Sequence, residues 1–406
     1  MLESHDLNLR HLYAAITVAR VGNISRAVDD IHISQPALTH AINKLEVQLG
    51  TQIFERHKNG VNTTEAGRLF LAYAQDAMAH LSAAAQQLRH SLKLKPLATP
   101  ELHITNTHLR AFLAVLRMGG YMSAARALEF SQPSVYRAVR ELQSFLGVSL
   151  FETSGRLIRA TEVAKRFGAQ VQLALATIQS GIDELASLRE PSFGRIQVGS
   201  LPLARSALLP NLLAEFSKNY RKVSITIVEG QYHELIAQLR NGTIDMMFGA
   251  LRSEFIFPDL EQRQLFMDEL CVVCRVDHPL TKGALISAAQ LAQYPWIVAA
   301  AQSPTQSIWQ AFMSASGGGL PTQLVQCSSI LLARELIRKG DWLALMSPHQ
   351  FCLEEEYGIL SRLNLSVPGS KRPIGLTVRK GWRPTSIQQS FLKMAQDMAI
   401  PLSTST

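Results

Sequence analysis

The sequence predicts a multidomain protein in which two small all-α modules, each followed by a long helix, precede a larger α/β domain. Three observations predict this fold class. They are an internal repeat, two long segments with an apolar seam at helical spacing, and alternating strand-like and helix-like segments after Arg195. With 406 residues, the chain has room for two to four domains.

The repeat has an offset of 97 positions, so Ser34 falls on Ser131, and it needs no gap. Residues 33–55, ISQPALTHAINKLEVQLGTQIFE, correspond to residues 130–152, FSQPSVYRAVRELQSFLGVSLFE. Two copies are too few for a solenoid. We therefore interpret the repeat as one small module that is present twice.

Each copy has the pattern of three short helices and a turn-rich hairpin. In the first copy, apolar spacing predicts helices over 9–21 and 25–32, and a third helix that begins at Ser34 and ends at Gly50. Pro36 suits the first turn of that helix, where its missing N–H has no helical partner. Residues 53–64 are interpreted as a short wing. The second copy repeats the plan over 108–118, 123–129, 131–146 and 150–161.

Each wing leads into a long helix, over 65–92 and 162–189, with apolar residues at steps of three and four. We expect these seams to pair helices of different chains, which gives a homodimer or a homotetramer. The alternative is that the seams pack on the chain's own domains. The segment 93–100 contains two prolines and is interpreted as a linker.

From Arg195 onward, strand-like segments such as RIQVGS, VSITIVEG and IDMMFGA alternate with predicted helices at 205–218, 231–241, 305–315, 329–338 and 386–399. This alternation indicates a parallel sheet and an α/β fold. The length of this region suits two subdomains.

The charge, the N-terminal sequence and the cysteine spacing limit which partners, locations and metal sites we expect. The net charge of +8 favours an anionic partner such as nucleic acid. We expect a cytoplasmic protein without membrane contact, because the N-terminus lacks a signal-peptide pattern and no apolar run could span a bilayer. We expect no metal and no cofactor. Cys271 and Cys274 have CxxC spacing but lie in a predicted strand, where positions three apart face opposite sides.

The third helix of each copy is the candidate recognition helix, because the second helix of a helix-turn-helix enters the major groove. Its outward side chains can bind bases or phosphates, and the wings add basic residues. The candidate DNA contacts are Ser25, Ser34, Gln35, Pro36, Thr39, His40, Asn43, Lys44, Arg56 and Lys58 in the first copy, and Ser131, Gln132, Pro133, Tyr136, Arg137, Arg140 and Arg156 in the second. The alternative is that these are ordinary solvated helix faces.

These residues resemble a known family. SRAVDDIHISQPALTHAINKLEVQLGTQIFER and SAARALEFSQPSVYRAVRELQSFLGVSLFET are similar to the winged helix-turn-helix of LysR-type transcriptional regulators. The resemblance implies linker helices and a two-lobed effector-binding domain like a periplasmic binding protein. It also implies a regulator that binds double-stranded DNA, responds to a small metabolite between the lobes and contacts RNA polymerase.

The expected domains are winged modules at 7–64 and 105–161, linker helices at 65–95 and 162–190, a linker at 96–104, and the effector domain at 194–400. We call the two winged units module one and module two. The duplication departs from the family pattern. Module two also has Thr153 and Gly155 where module one has Arg56 and Lys58. One alternative is therefore that one of the modules serves only for packing.

The resemblance places the effector at loops that follow strand ends, where helix N-termini suit a carboxylate. The candidate contacts are Ser200, Leu201, Gln231, Ser303 and Thr305. For each residue alone, a helix cap is the competing interpretation. Two other classes of protein remain as alternatives, a solute-binding transport component and an enzyme with an appended DNA module. No catalytic motif in the sequence favours the enzyme.

Overall fold

The structure is a computed structural model that describes residues 2–58, 60–154, 157–206, 208–283, 286–315, 319, 321 and 323–403. Its N-terminal half contains both predicted modules and both long helices. In chain order, the elements are α1 (Leu9–Val21), α2 (Ile24–Ile31), α3 (Gln35–Leu49), β1 (Phe54–His57), β2 (Gly60–Thr63), α4 (Glu65–Ser91), α5 (Pro100–His103), α6 (Asn106–Met118), α7 (Tyr121–Leu128), α8 (Gln132–Leu146), β3 (Phe151–Ser154), β4 (Leu157–Ala160) and α9 (Glu162–Arg189).

The recognition helices α3 and α8 begin and end as the sequence predicts. Ser34 Oγ accepts a hydrogen bond from Ala37 N at 3.4 Å, and Ser131 caps α8 in the same way. Both helices end at a glycine with φ near +65°, Gly50 and Gly147, because a left-handed residue closes the last turn without a Cβ clash.

The linker helices α4 and α9 pack against each other within one chain. Their predicted seams belong to one apolar core that also includes module one and part of module two, with Phe70, Leu81 and Ile178 fully buried. At Gly181 of α9, an added Cβ would lie 2.9 Å from Tyr73 Cβ, so the missing side chain permits the close approach. Within this chain the seams therefore cover each other, as the alternative interpretation has it, and an assembly of several chains would use other surfaces.

The segment between the modules is also structured. The predicted linker at 96–104 contains the short helix α5, and Ile104 at its end is fully buried. The cause is reciprocal packing between the two modules, which a proline-containing linker pattern does not reveal.

The C-terminal domain has two five-stranded sheets. The elements that precede the second sheet in the chain are β5 (Phe193–Ser200), α10 (Leu208–Asn219), β6 (Lys222–Glu229), α11 (Tyr232–Arg240), β7 (Met246–Ala250) and β8 (Leu260–Glu269). The remaining elements are β9 (Cys271–Arg275), α12 (Ala288–Ala292), β10 (Trp296–Val298), α13 (Pro304–Ala315), β11 (Leu324–Gln326), α14 (Ile330–Lys339), β12 (Leu343–Met346), α15 (Cys352–Glu356), β13 (Leu360–Arg362), β14 (Lys371–Arg379) and α16 (Ser386–Ser403).

The strand orders show how the lobes are connected. Lobe one has the order β6-β5-β7-β14-β8, and lobe two has the order β11-β10-β12-β9-β13. The chain crosses between the lobes twice, at Leu270 and at residues 363–370. The predicted parallel sheet is found only in part, because β14 and β9 are antiparallel to their neighbours. Strand β9 follows the crossing at Leu270, and β14 follows the crossing at residues 363–370. Each of them runs in the opposite direction to both of its neighbours in the sheet. Within the described residues, no helix is both long and apolar enough to cross a membrane.

Candidate nucleic-acid interface and effector cleft

The recognition helix of module one divides cleanly into a buried and an exposed face. Leu38, Ala41, Ile42, Leu45 and Leu49 are buried. Most of the predicted DNA contacts are exposed, namely Ser25, Ser34, Gln35, Pro36, His40, Asn43, Lys44, Arg56 and Lys58, and Thr39 is half-buried. Gln35, Pro36, Thr39, His40 and Asn43 together line an open groove. The structure therefore brings the predicted helix residues together on one surface.

The wing of module one is held against its recognition helix. Glu46 Oε1 accepts hydrogen bonds from Ile53 N at 2.8 Å and Phe54 N at 3.1 Å, which fixes the start of β1. Arg56 Nη2 donates to Asn43 Oδ1 at 3.2 Å. The wing and the helix therefore form one continuous polar surface, and Arg56 orients the Asn43 amide.

Module two has the same framework and a different surface. Gln143 Oε1 accepts from Leu150 N and Phe151 N, so it repeats the role of Glu46. Ser131, Gln132, Pro133, Tyr136, Arg137 and Arg140 are all exposed, and Arg156 lies outside the described residues.

Aromatic contacts organise the exposed face of module two. The rings of Tyr136 and Tyr121 meet edge to face, with 5.2 Å between their centroids. The Cζ atom of Arg140 lies 6.0 Å from the centroid of the Tyr136 ring. Burial raises the pKa of Tyr121, so this ring stays neutral. The neighbouring Met122, which is 56% exposed, stands where module one has Ser25.

The predicted effector residues differ in their exposure to solvent. Ser200 is fully buried at the end of β5 and Gln231 is exposed at the start of α11. Ser303 Oγ accepts from Gln306 N at 3.1 Å, so it acts as a cap of α13. Leu201 packs closely on Gly249, because a Cβ added at Gly249 would lie 2.5 Å from the Cβ of Leu201.

Thr305, also predicted, joins a buried ionic network that no pattern in the sequence indicates. Arg372 ion-pairs with Asp268 at 2.8 Å and donates from Nη1 to Thr305 Oγ1 at 2.5 Å. Ser347 Oγ donates to the other oxygen of Asp268 at 2.5 Å. Burial lowers the pKa of Arg372, and the Asp268 carboxylate opposes that effect. The network connects strands of lobe one with Thr305 and Ser347 of lobe two.

A second arginine, Arg252, bridges the lobes. It follows β7 in lobe one and donates from Nη1 to Gln302 O of lobe two at 2.9 Å. Its guanidinium lies over the Tyr232 ring at 4.3 Å. Burial lowers its pKa. Neither Arg252 nor Arg372 belongs to a sequence motif, so only the fold places them at the contact between the lobes.

The CxxC pair does not form a metal-binding arrangement. Cys271 Sγ contacts Met346 O on β12, whereas Cys274 Sγ contacts Ser361 O on β13. Burial raises the pKa of both thiols to about 12, which disfavours the thiolate that binds metals. Among the described residues, no group of three or more metal-ligating side chains is present.

Comparisons with known proteins agree with this architecture. The family profile described as "LysR substrate binding domain" matches residues 189–399. The profile described as "Bacterial regulatory helix-turn-helix protein, lysR family" matches residues 9–68 and again residues 106–165. Both modules therefore match the same DNA-binding family.

Curated relatives differ in how much of the chain they match. The HTH-type transcriptional regulator GalR of Pseudomonas putida KT2440 is 30% identical over 381 residues, 94% of each chain, so it aligns with both modules. The HTH-type transcriptional regulator PcaQ of Agrobacterium fabrum C58 is 28% identical over 289 residues, 71% of this chain and 92% of PcaQ.

Two solved structures share the fold. A full-length OxyR variant from Pseudomonas aeruginosa is 23% identical, with a TM-score of 0.52 over 73% of this chain and 95% of OxyR. Full-length CbnR, solved in complex with its target DNA, is 20% identical, with a TM-score of 0.53 over 71% of this chain and 98% of CbnR. The chain belongs to the family of LysR-type transcriptional regulators, and it carries the family's DNA-binding module twice.

Proposed function

We propose that the chain is a sequence-specific DNA-binding transcription regulator that is controlled by a small molecule bound between its two C-terminal lobes. The pair of recognition helices carries this proposal. Helices α3 and α8 bury matching apolar residues and present polar faces to solvent at equivalent positions. Such a face is suited to the major groove. The similar CbnR structure contains that protein's target DNA.

The two faces offer different base contacts. In module one, Gln35 and Asn43 carry amides that pair with adenine in two hydrogen bonds. In module two, Arg137 and Arg140 carry guanidinium groups that suit guanine. Lys58 of the first wing is exposed and would contact phosphate, which adds affinity without sequence preference.

We propose a carboxylate as the effector. The cleft offers the Arg252 guanidinium, the Arg372–Thr305 pair and the N-terminus of α13, which is a favourable place for an anion. An anion that binds Arg372 in place of Thr305 would break a contact that connects the lobes. Because DNA must distinguish the same two arrangements for regulation to occur, effector and DNA affinities are then linked.

The relatives are transcription regulators, and we propose a regulatory rather than a catalytic role for this chain. We also propose that it acts in the cytoplasm and contacts RNA polymerase when bound to DNA.

A gel-shift experiment tests this function. The full chain is titrated onto the intergenic DNA upstream of its own gene, and onto a shuffled duplex of the same composition, across a salt series. We expect tighter binding to the upstream DNA and a steep fall of affinity with salt concentration. Equal affinity for the two duplexes would contradict a specific regulator.

A further inference from the structure

We propose that one chain is by itself the unit that binds a two-part DNA site, because its two modules form an internal dimer with a single effector domain. The partner is a duplex with two unlike arms, one for each recognition helix. This inference rests on the proposed function, and it concerns which surfaces are paired and how many chains occupy one site.

The surfaces that would pair two chains are already covered within one. The seams of α4 and α9 lie against each other, and the two helices bury Phe70, Tyr73 and Ile178. Among the described residues of these two helices, Leu188 is the one large apolar side chain that is exposed, at 48%. No apolar seam in this part of the chain is left for a second copy.

The contacts between the modules are reciprocal, as in a two-fold symmetric dimer. Arg10 Nε of module one donates to Leu102 O at 3.0 Å, and Asn106 Nδ2 of module two donates to His5 O at 3.0 Å. His5 and Leu102 are equivalent positions of the repeat. The equivalent residues Leu7 and Ile104 are both fully buried.

Each linker helix also reaches the recognition helix of the other module. Arg89 at the end of α4 donates from Nη1 to Leu146 O of α8 at 2.7 Å. Arg189 at the end of α9 donates from Nη2 to Leu49 O of α3 at 3.3 Å. Leu49 and Leu146 are equivalent in the repeat, whereas the two arginines are 100 positions apart. Both recognition helices are therefore held relative to the same helix pair.

One effector domain contacts both linker helices. Tyr73 Oη of α4 donates to Pro384 O at 3.2 Å, and Asp76 of α4 pairs with Arg383 at 3.0 Å. On α9, the Glu184 carboxylate accepts from Ser386 N at 2.8 Å. A single metabolite site therefore serves two DNA-binding modules.

The two arms of the DNA site must differ in sequence, because equivalent outward positions carry different chemistry. His40, Asn43 and Lys44 of α3 correspond to Arg137, Arg140 and Glu141 of α8. Lys44 and Glu141 have opposite charge. A homodimer with one module per chain presents the same face twice, whereas this chain presents two different faces once.

The first test uses the full chain and a random-sequence library of duplexes about 40 base pairs long, roughly four helical turns. Selected duplexes are sequenced, and the complex is weighed by native mass spectrometry. We expect two unlike arms and one chain per duplex. A palindromic site occupied by two chains would overturn the inference and leave the proposed function intact. Failure to enrich any sequence would overturn both.

The second test distinguishes pairing within a chain from exchange of modules between chains. One variant carries His40→Ala and Asn43→Ala, the other Arg137→Ala and Arg140→Ala, and a control carries Gln87→Ala on the exposed side of α4. The two DNA-binding variants are co-expressed and purified together.

The probe is the selected duplex, trimmed to its two arms. We expect each variant to bind at least about tenfold more weakly than the wild-type chain or the control. We expect the co-expressed mixture to bind no better than either variant. Exchanged modules would pair an intact α3 with an intact α8 from the other chain, so recovery of wild-type affinity in the mixture would overturn the inference.

Discussion

Asn43 and Arg140 occupy equivalent positions of the two recognition helices, and their chemistry predicts separable effects on DNA binding. We expect Asn43→Ala and Arg140→Ala each to cost about 1–3 kcal/mol of binding free energy, the range for one good base contact. Footprinting on the selected duplex should show each loss at a different arm. If the Arg140→Ala footprint and affinity are those of the wild type, α8 does not recognise DNA through this residue.

Arg372 pairs with Asp268 inside lobe one and reaches Thr305 of lobe two. Arg372→Met leaves the buried Asp268 carboxylate without its cation, and we expect a loss of about 3–5 kcal/mol in the free energy of unfolding. Replacing the pair together, with Arg372→Met and Asp268→Asn, should cost less, because no buried charge is then left unpaired. Urea unfolding of the three proteins measures this cycle, and equal losses for both variants would contradict the pairing.

At the scale of helices, Arg89 and Arg189 link each module to the other's recognition helix. Arg89→Ala and Arg189→Ala each remove a cation that binds carbonyl groups at a helix C-terminus, and we expect each to cost about 1–2 kcal/mol of stability. Arg68→Ala, at an exposed position of α4, is the matched control. Thermal unfolding should place both variants below the control. Identical midpoints would show that these contacts are not stabilising.

The α4–α9 contact makes its own prediction at Gly181. A leucine there would overlap Tyr73 and Phe70, and overpacking of this kind costs about 1–3 kcal/mol. Ala79→Leu places the same side chain on the exposed side of α4 and serves as the control. Gly181→Leu should therefore unfold at a lower urea concentration than Ala79→Leu. Unchanged stability in Gly181→Leu would contradict the close packing of the two helices.

The helices themselves were predictable, but their partners were not. Caps such as Ser34 and Gly50 act on neighbouring residues, so sequence alone places the ends of α3 correctly. An apolar seam shows that a helix face is covered, and it contains no information about what covers it. The pairing of α4 with α9 brings together residues that are far apart in the sequence, such as Tyr73 and Gly181.

At the scale of the whole molecule, the same limit explains which candidate effector residues the sequence can indicate. Ser200 ends β5 and Thr305 lies in the first turn of α13, so the topology of an α/β fold indicates both as candidates. Arg252 and Arg372 are single charged residues without a motif, and only the packing of the two lobes brings them to Gln302 and Thr305. Local patterns therefore indicate Ser200 and Thr305 as candidates and give no sign of the charges that Arg252 and Arg372 add nearby.

The internal dimer makes a quantitative prediction about salt. Affinity for DNA falls with salt concentration in proportion to the number of phosphates neutralised, with a slope of about 0.9 for each. Arg56→Ala and Lys58→Ala together remove two exposed wing charges of module one. If one chain occupies the selected duplex, each substitution occurs once per site, and we expect the slope to fall by about 2. Two chains per site would double the change to about 4. Gel shifts across a salt series measure this slope for the wild type, the variant and a Lys218→Ala control. Lys218 lies in the effector domain, so its removal should leave the slope unchanged. The slope reports how many phosphates the protein neutralises, so it distinguishes one chain per site from two.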